Sequence, residues 1–248
     1  GINHSSVFEI YEDAHGGIWV GTWSGGLYYL NMHDNHFIHV KDFFHPNQNT
    51  NVISSFTDGP GNTILVGTES GILFSYDILT REYDSYTIRT ADNPLKSIKA
   101  LQTDSNGNIW IGTFTAGIWV KTSESRDFRQ LDYMNNRQEQ IYCLTEDGQK
   151  MWIGSGTTGL HSYTLATGET ERFYLQGNNP KSLSNNSVRS LVRDKQGNLW
   201  VGTMNGLNFK EANQDGFVRY LPNHQKDNKS INHNEIFSLL EDRQGNIW

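Results

Sequence analysis

Cysteine is nearly missing from this chain of 248 residues: the single Cys143 excludes an intramolecular disulfide and any cysteine-based metal cluster. Basic charge is also scarce. Twenty Lys and Arg against 27 Asp and Glu leave a formal charge of -7, the reverse of the clustered positive charge that a phosphate backbone requires. Nucleic acid is therefore excluded as a partner of this region, and a neutral or mildly polar ligand fits better. No stretch reaches the roughly 18 to 20 apolar residues of a membrane span, and no signal peptide opens the sequence. Any membrane attachment is expected through segments outside this chain, which begins and ends inside a repeat. There is no nucleophile elbow, phosphate loop or HExxH motif, and no spaced acid and base pair. Catalytic residues, metal ligands and cofactors are accordingly assigned to none.

What the chain does have is repetition. An Asp-Gly turn leads six times into one short unit: Trp19-Val20-Gly21-Thr22, Leu65-Val66-Gly67-Thr68, Trp110-Ile111-Gly112-Thr113, Trp152-Ile153-Gly154-Ser155, Trp200-Val201-Gly202-Thr203, and a last copy at Trp248. The units lie 46, 45, 42, 48 and 48 residues apart, the period of a four-stranded propeller blade. Repeat boundaries fall at about 1–47, 48–93, 94–135, 136–181 and 182–229, with a partial copy at 230–248. The predicted fold is all-β: a β-propeller of four-stranded antiparallel blades, five complete plus part of a sixth, a fragment of a seven-bladed ring.

Before each turn Asp (Asp13, Asp58, Asp104, Asp147, Asp194 and Asp242) runs a first strand whose apolar residues fall on both parities, as Val188, Leu191 and Val192 show. Burial on both sides is implied, as for an innermost blade strand between neighbours. Small residues at Ser54, Ala100, Cys143, Ser190 and Ser238 suit converging sheets. The Asp carboxylates are read as turn caps, and the Trp residues as core between blades. Polar fourth strands such as REYDSYTI and ETERFYL suit an outer edge in water. His33, His36, His39 and His45 are read as a solvated edge: residues 36 and 39 differ by an odd number, so they point to opposite faces of a strand.

The pattern from Asn186-Ser187-Val188 through Leu207 resembles the two-component regulator propeller repeat, and its echo runs along essentially the whole chain. Departures are Leu65 for Trp, Ser155 for Thr and the shortened turn at Asp147. In that family the repeats form the periplasmic sensor region of hybrid two-component systems of Bacteroidetes. They precede an immunoglobulin-like domain, a membrane helix and a histidine kinase core. The resemblance implies a non-enzymatic periplasmic sensing module, recognising an oligosaccharide or similar polar ligand and signalling through a homodimer to a kinase that lies outside this chain.

Propeller connectivity places the lead-in to each first strand and the turn between second and third strands on one face, opposite the Asp-Gly hairpins. That face collects Asn3, His4, Asn51, Lys96, Asn185, Asn186, Asn232, His233 and Asn234 from the lead-ins, and Trp23, Glu69, Phe114, Thr157 and Met204 from the inner turns. Amides can bond hydroxyls, and aromatics can stack on apolar sugar faces. The candidate ligand-binding residues are Trp23, Glu69, Phe114, Met204, Asn186 and His233. Two alternatives remain: a structural or dimerising propeller with its sensing site elsewhere, and a propeller hydrolase or lyase, whose turnover would depend on Glu69 or His233.

Overall fold

A computed structural model describes residues 2, 6–31, 36–40, 52–88, 97–132, 139–222 and 230–248. Asn3, His4, His33, His45, Asn51 and Lys96 lie outside these residues. Two compact units make up the chain, Gly1–Leu131 and Asp132–Trp248.

The first unit holds three sheets. Blade 1 comprises β1 (Val7–Glu12), β2 (Ile18–Thr22), β3 (Leu27–Asn31) and β4 (His36–Val40). Blade 2 comprises β5 (Ile53–Asp58), β6 (Thr63–Thr68), β7 (Ile72–Asp77) and β8 (Tyr83–Thr87). Blade 3 comprises β9 (Ile98–Thr103), β10 (Ile109–Thr113), β11 (Ile118–Lys121) and the short β12 (Arg129–Gln130). The second unit holds blade 4, with β13 (Ile141–Glu146), β14 (Lys150–Ser155), β15 (Leu160–Thr164) and β16 (Thr170–Phe173). Blade 5 follows, with β17 (Val188–Arg193), β18 (Leu199–Thr203), β19 (Gly206–Lys210) and β20 (Val218–Tyr220). In every sheet consecutive strands are antiparallel neighbours in chain order. First strands face first strands between blades 1 and 2, 2 and 3, and 4 and 5. These are propeller blades, as the repeat period implies.

The core lies in layers between blades. Trp19 and Leu27 of blade 1 meet Ile53, Phe56, Ile64 and Phe74 of blade 2. Leu65 and Leu73 meet Ile98, Ile109 and Trp119, and Trp152 and Leu160 meet Val188, Leu199 and Val201. The glycine of the repeated unit permits this approach. A β-carbon on Gly21 would lie 2.7 Å from Ile53 Cγ2, one on Gly67 equally close to Ile98, and one on Gly154 equally close to Val188 Cγ1. A side chain there would push the neighbouring first strand away.

Asp13, Asp104, Asp147, Asp194 and Asp242 cap their hairpins, and the structure adds a partner the sequence did not suggest. Asp104 Oδ1 accepts the amides of Asn106 and Asn108, while Oδ2 accepts the indole N–H of Trp110 at 2.8 Å. The same indole-to-carboxylate bond recurs at Asp13 with Trp19, Asp147 with Trp152, Asp194 with Trp200 and Asp242 with Trp248. In effect Asp and Trp form one latch. The donors of Trp248 and Asn246 hold the Asp242 carboxyl well below the usual carboxylate range.

Blade 2 corrects the repeat alignment. Asp58 pairs with Ile64 inside the ladder, and Gly59 takes the capping position, its N–H bonding Thr63 O. Where Leu65 replaces Trp, the carboxylate that would have held an indole is gone as well. Asp58 instead accepts the Tyr11 hydroxyl at 2.9 Å and the Ala14 amide, bracing blade 1. The small axial position of blade 2 is therefore Ser55, opposite Gly67, and not Ser54.

Two further expectations change. Strand β1 is exposed over most of its length, whereas β5 is almost wholly buried, because within its unit β1 has a neighbouring blade on one side only. The partial sixth copy contains an isolated bridge, Glu241 with Ile247, rather than two full strands. Its Ile236 does pack against Gly202 as the repeat requires, but Phe237, Leu240 and Trp248 stay exposed.

Candidate functional site

In all five blades the ladder between first and second strands skips one residue near its start. Pairing jumps from Val7 to Glu9, Ile53 to Ser55, Ile98 to Ala100, Ile141 to Cys143 and Val188 to Ser190. A β-bulge frees one residue from pairing and re-aims its side chain. The freed residues are Phe8, Ser54, Lys99, Tyr142 and Arg189, a set with no common chemistry on a constant backbone. Beside each bulge the residue after Gly-Thr or Gly-Ser is tied to the lead-in by its amide: Trp23 to Ser6, Glu69 to Val52, Phe114 to Ser97, Gly156 to Gln140 and Met204 to Ser187. The lead-in and inner turn thus share one end of each blade, as connectivity implied.

In the first unit these positions converge. Phe8 and Trp23 lie with ring centroids 5.7 Å apart, at 40% and 54% exposure. The Lys99 ammonium sits 5.9 Å from the Phe8 ring and 5.7 Å from the Phe114 ring, a cation held over two aromatic faces. It also donates to Glu69, whose other carboxylate oxygen accepts the Ser97 hydroxyl. Trp23, Phe8, Lys99 and Phe114 form a continuous surface, and the Lys99–Glu69 pair makes its charge balanced. Such a surface can stack the apolar face of a sugar while the ammonium, carboxylate and hydroxyl bond its hydroxyls.

The other three candidates lie in the second unit. Asn186 braces the chain: its side-chain oxygen accepts the Leu175 amide at 2.7 Å and its backbone oxygen the Gly159 amide. Met204 is half-buried beside it in sequence register. His233 is exposed and its Nδ1 accepts the Glu235 amide. Thr157 donates to Glu139, and the position equivalent to Trp23 is Gly156. Cys143 lies against Gly154, and burial pushes its thiol far above the usual range, so it is an inert packed residue.

Phe8 and Lys99 lie within first strands, beyond the lead-ins that supply the sequence candidates. The signal was present: five residues before each capping Asp, directly after a β-branched residue, a position changes freely among Phe8, Lys99, Tyr142, Arg189 and Phe237.

A family model described as "Two component regulator propeller" matches residues 1–24, 94–115, 182–205 and 230–248. Those four segments are similar to two-component regulator propeller repeats. The matched segments are the first strands and Trp turns of blades 1, 3 and 5 and of the partial copy. The two unmatched repeats are the one with the displaced Asp58 and the one with the shortened Asp147 turn. Histidine kinase P4 of Formosa agariphila is 25% identical over 201 residues, covering 74% of this chain and 14% of that protein. Extracellular domains of two B. thetaiotaomicron proteins, each assigned as a hybrid two component system, share the fold. They superpose with TM-scores of 0.66 and 0.70 at 21% and 20% identity, and cover 100% and 99% of this chain. The chain spans 37% and 38% of those two domains.

Proposed function

We propose that these repeats are a ligand-sensing module of a hybrid two-component sensor, positioned in the periplasm and recognising an oligosaccharide. The observation that carries this reading is the charge-balanced aromatic surface of Trp23, Phe8, Lys99 and Phe114. Aromatic residues are not demanded there by the fold, since other blades place Glu69, Gly156 or Met204 at the same turn. The relatives named above support the sensing role. The chain itself does no chemistry in this account: ligand binding shifts the population of two arrangements of a homodimer, and a kinase outside this chain reads the shift.

Calorimetric titration with glycan fragments tests it. A Trp23→Ala, Phe114→Ala double variant should lose at least about tenfold in affinity, equivalent to about 1.4 kcal/mol, with its unfolding temperature unchanged. Unaltered binding would favour a structural or dimerising module instead. Static light scattering across a concentration series checks the homodimer.

A further inference from the structure

Arg189 occupies the bulge of blade 5, and its guanidinium carbon lies 3.9 Å from the centre of the Tyr142 ring, the bulge residue of blade 4. Among the described residues it donates no hydrogen bond and forms no ion pair, and its Nε is buried without a partner. The arginines that serve the fold of this unit behave differently. Arg172 donates from Nε to Thr158 O at 2.7 Å, and Arg219 reaches Asn179, Ser182 and Leu183. A half-buried guanidinium with an idle fork, pre-oriented by stacking, has the geometry to bond two oxygens of one oxyanion. Gly156, standing where other blades carry a side chain, lets Tyr142 and Gln140 close over the turn: a β-carbon there would lie 2.8 Å from both Gln140 Oε1 and Tyr142 Cε2, so the ring on which Arg189 stacks is held in place.

We propose that Arg189, stacked on Tyr142, is an oxyanion subsite that selects a carboxylated or sulfated sugar. The inference rests on the carbohydrate-sensing reading and narrows it to acidic oligosaccharides. The net charge of -7 opposes long-range attraction of such ligands. Contact recognition is set by the local fork, which no acidic side chain neutralises among the described residues.

Three disaccharides separate the possibilities: digalacturonate, a sulfated galactobiose and plain galactobiose, titrated calorimetrically into the chain. One acidic probe should bind at least about tenfold more tightly than galactobiose, the size of one hydrogen bond to a charged group. Which acidic probe prevails distinguishes carboxylate from sulfate. Arg189→Met should abolish the preference, and Arg189→Lys, which keeps the charge without the fork, should restore only part of it. Equal affinity for all three, or a preference that survives Arg189→Met, overturns the subsite and leaves carbohydrate sensing standing. If no disaccharide binds, or if Arg189→Met fails to fold, the Nε–H resonance of Arg189 in the wild-type chain gives the answer with acetate and sulfate as probes. A saturable shift supports the oxyanion site even where the carbohydrate reading fails; no shift overturns it.

Discussion

Lys99 and Arg189 hold the same place in two repeats. Each is the residue skipped by the ladder between a β-branched and a small neighbour, and each stacks on aromatic rings. Their charges are handled differently. Lys99 is matched by Glu69 from the adjacent blade, whereas Arg189 is stacked and left without an acidic partner among the described residues. The backbone frame of these two blades is therefore common property, made by the Asp-Trp latch and the Gly contact, and the side-chain chemistry differs from bulge to bulge.

Breaking the frame should cost far more than altering either cation. Trp19→Ala removes a fully buried indole and its latch, and an unfolding titration should show a loss of about 3–5 kcal/mol. The frame of the second unit also carries a titration. His161 sits where blade 1 has Tyr28 and blade 3 has Trp119, paired through Nε2 with Thr158 Oγ1 at 2.7 Å. Burial, aided by Arg172, lowers its pKa to about 4 from 6.5. The unfolded chain therefore takes up a proton first, so stability is complete above about pH 6.5 and falls as pH drops toward 4. The loss should be on the order of 3 kcal/mol, and His161→Asn should flatten that slope in urea melts at graded pH. The Asp194 and Asp242 carboxyls are held below the usual carboxylate range, so their latches open only at lower pH and do not obscure the window.

A smaller effect, about 2 kcal/mol, is expected for Asp104→Ala, which strands the Trp110 indole N–H and two turn amides. The sharpest test of the comparison is the least costly. Glu69→Gln should change stability by no more than about 1 kcal/mol, yet unmask Lys99 and raise affinity for digalacturonate over galactobiose. An unchanged preference would show that charge balance at the bulge does not govern selectivity.

Much of this was legible in the sequence. Period, turn chemistry and two-parity first strands together specify blades, and the polar fourth strands lie at exposed edges in the structure. Asp58 misled because a capping role was inferred from its identity alone; the absence of Trp at Leu65 was the hint that the latch, and with it the Asp, had moved. The exposure of β1 depends on which neighbour is present, and its own residues do not encode that. Lys99 and Arg189 were hidden because a bulge breaks strand parity, so alternation gives no guide to where the skipped side chain points.

Hydrogen exchange of the chain with and without saturating glycan tests the account most directly. Protection confined to the strand starts and inner turns, around residues 6–8, 23, 97–99 and 114 in the first unit and 140–142, 156 and 187–189 in the second, is the expected result. Protection centred on the Asp-Gly hairpins near Asp13, Asp104, Asp147 and Asp194, with the bulges unaffected, would contradict it.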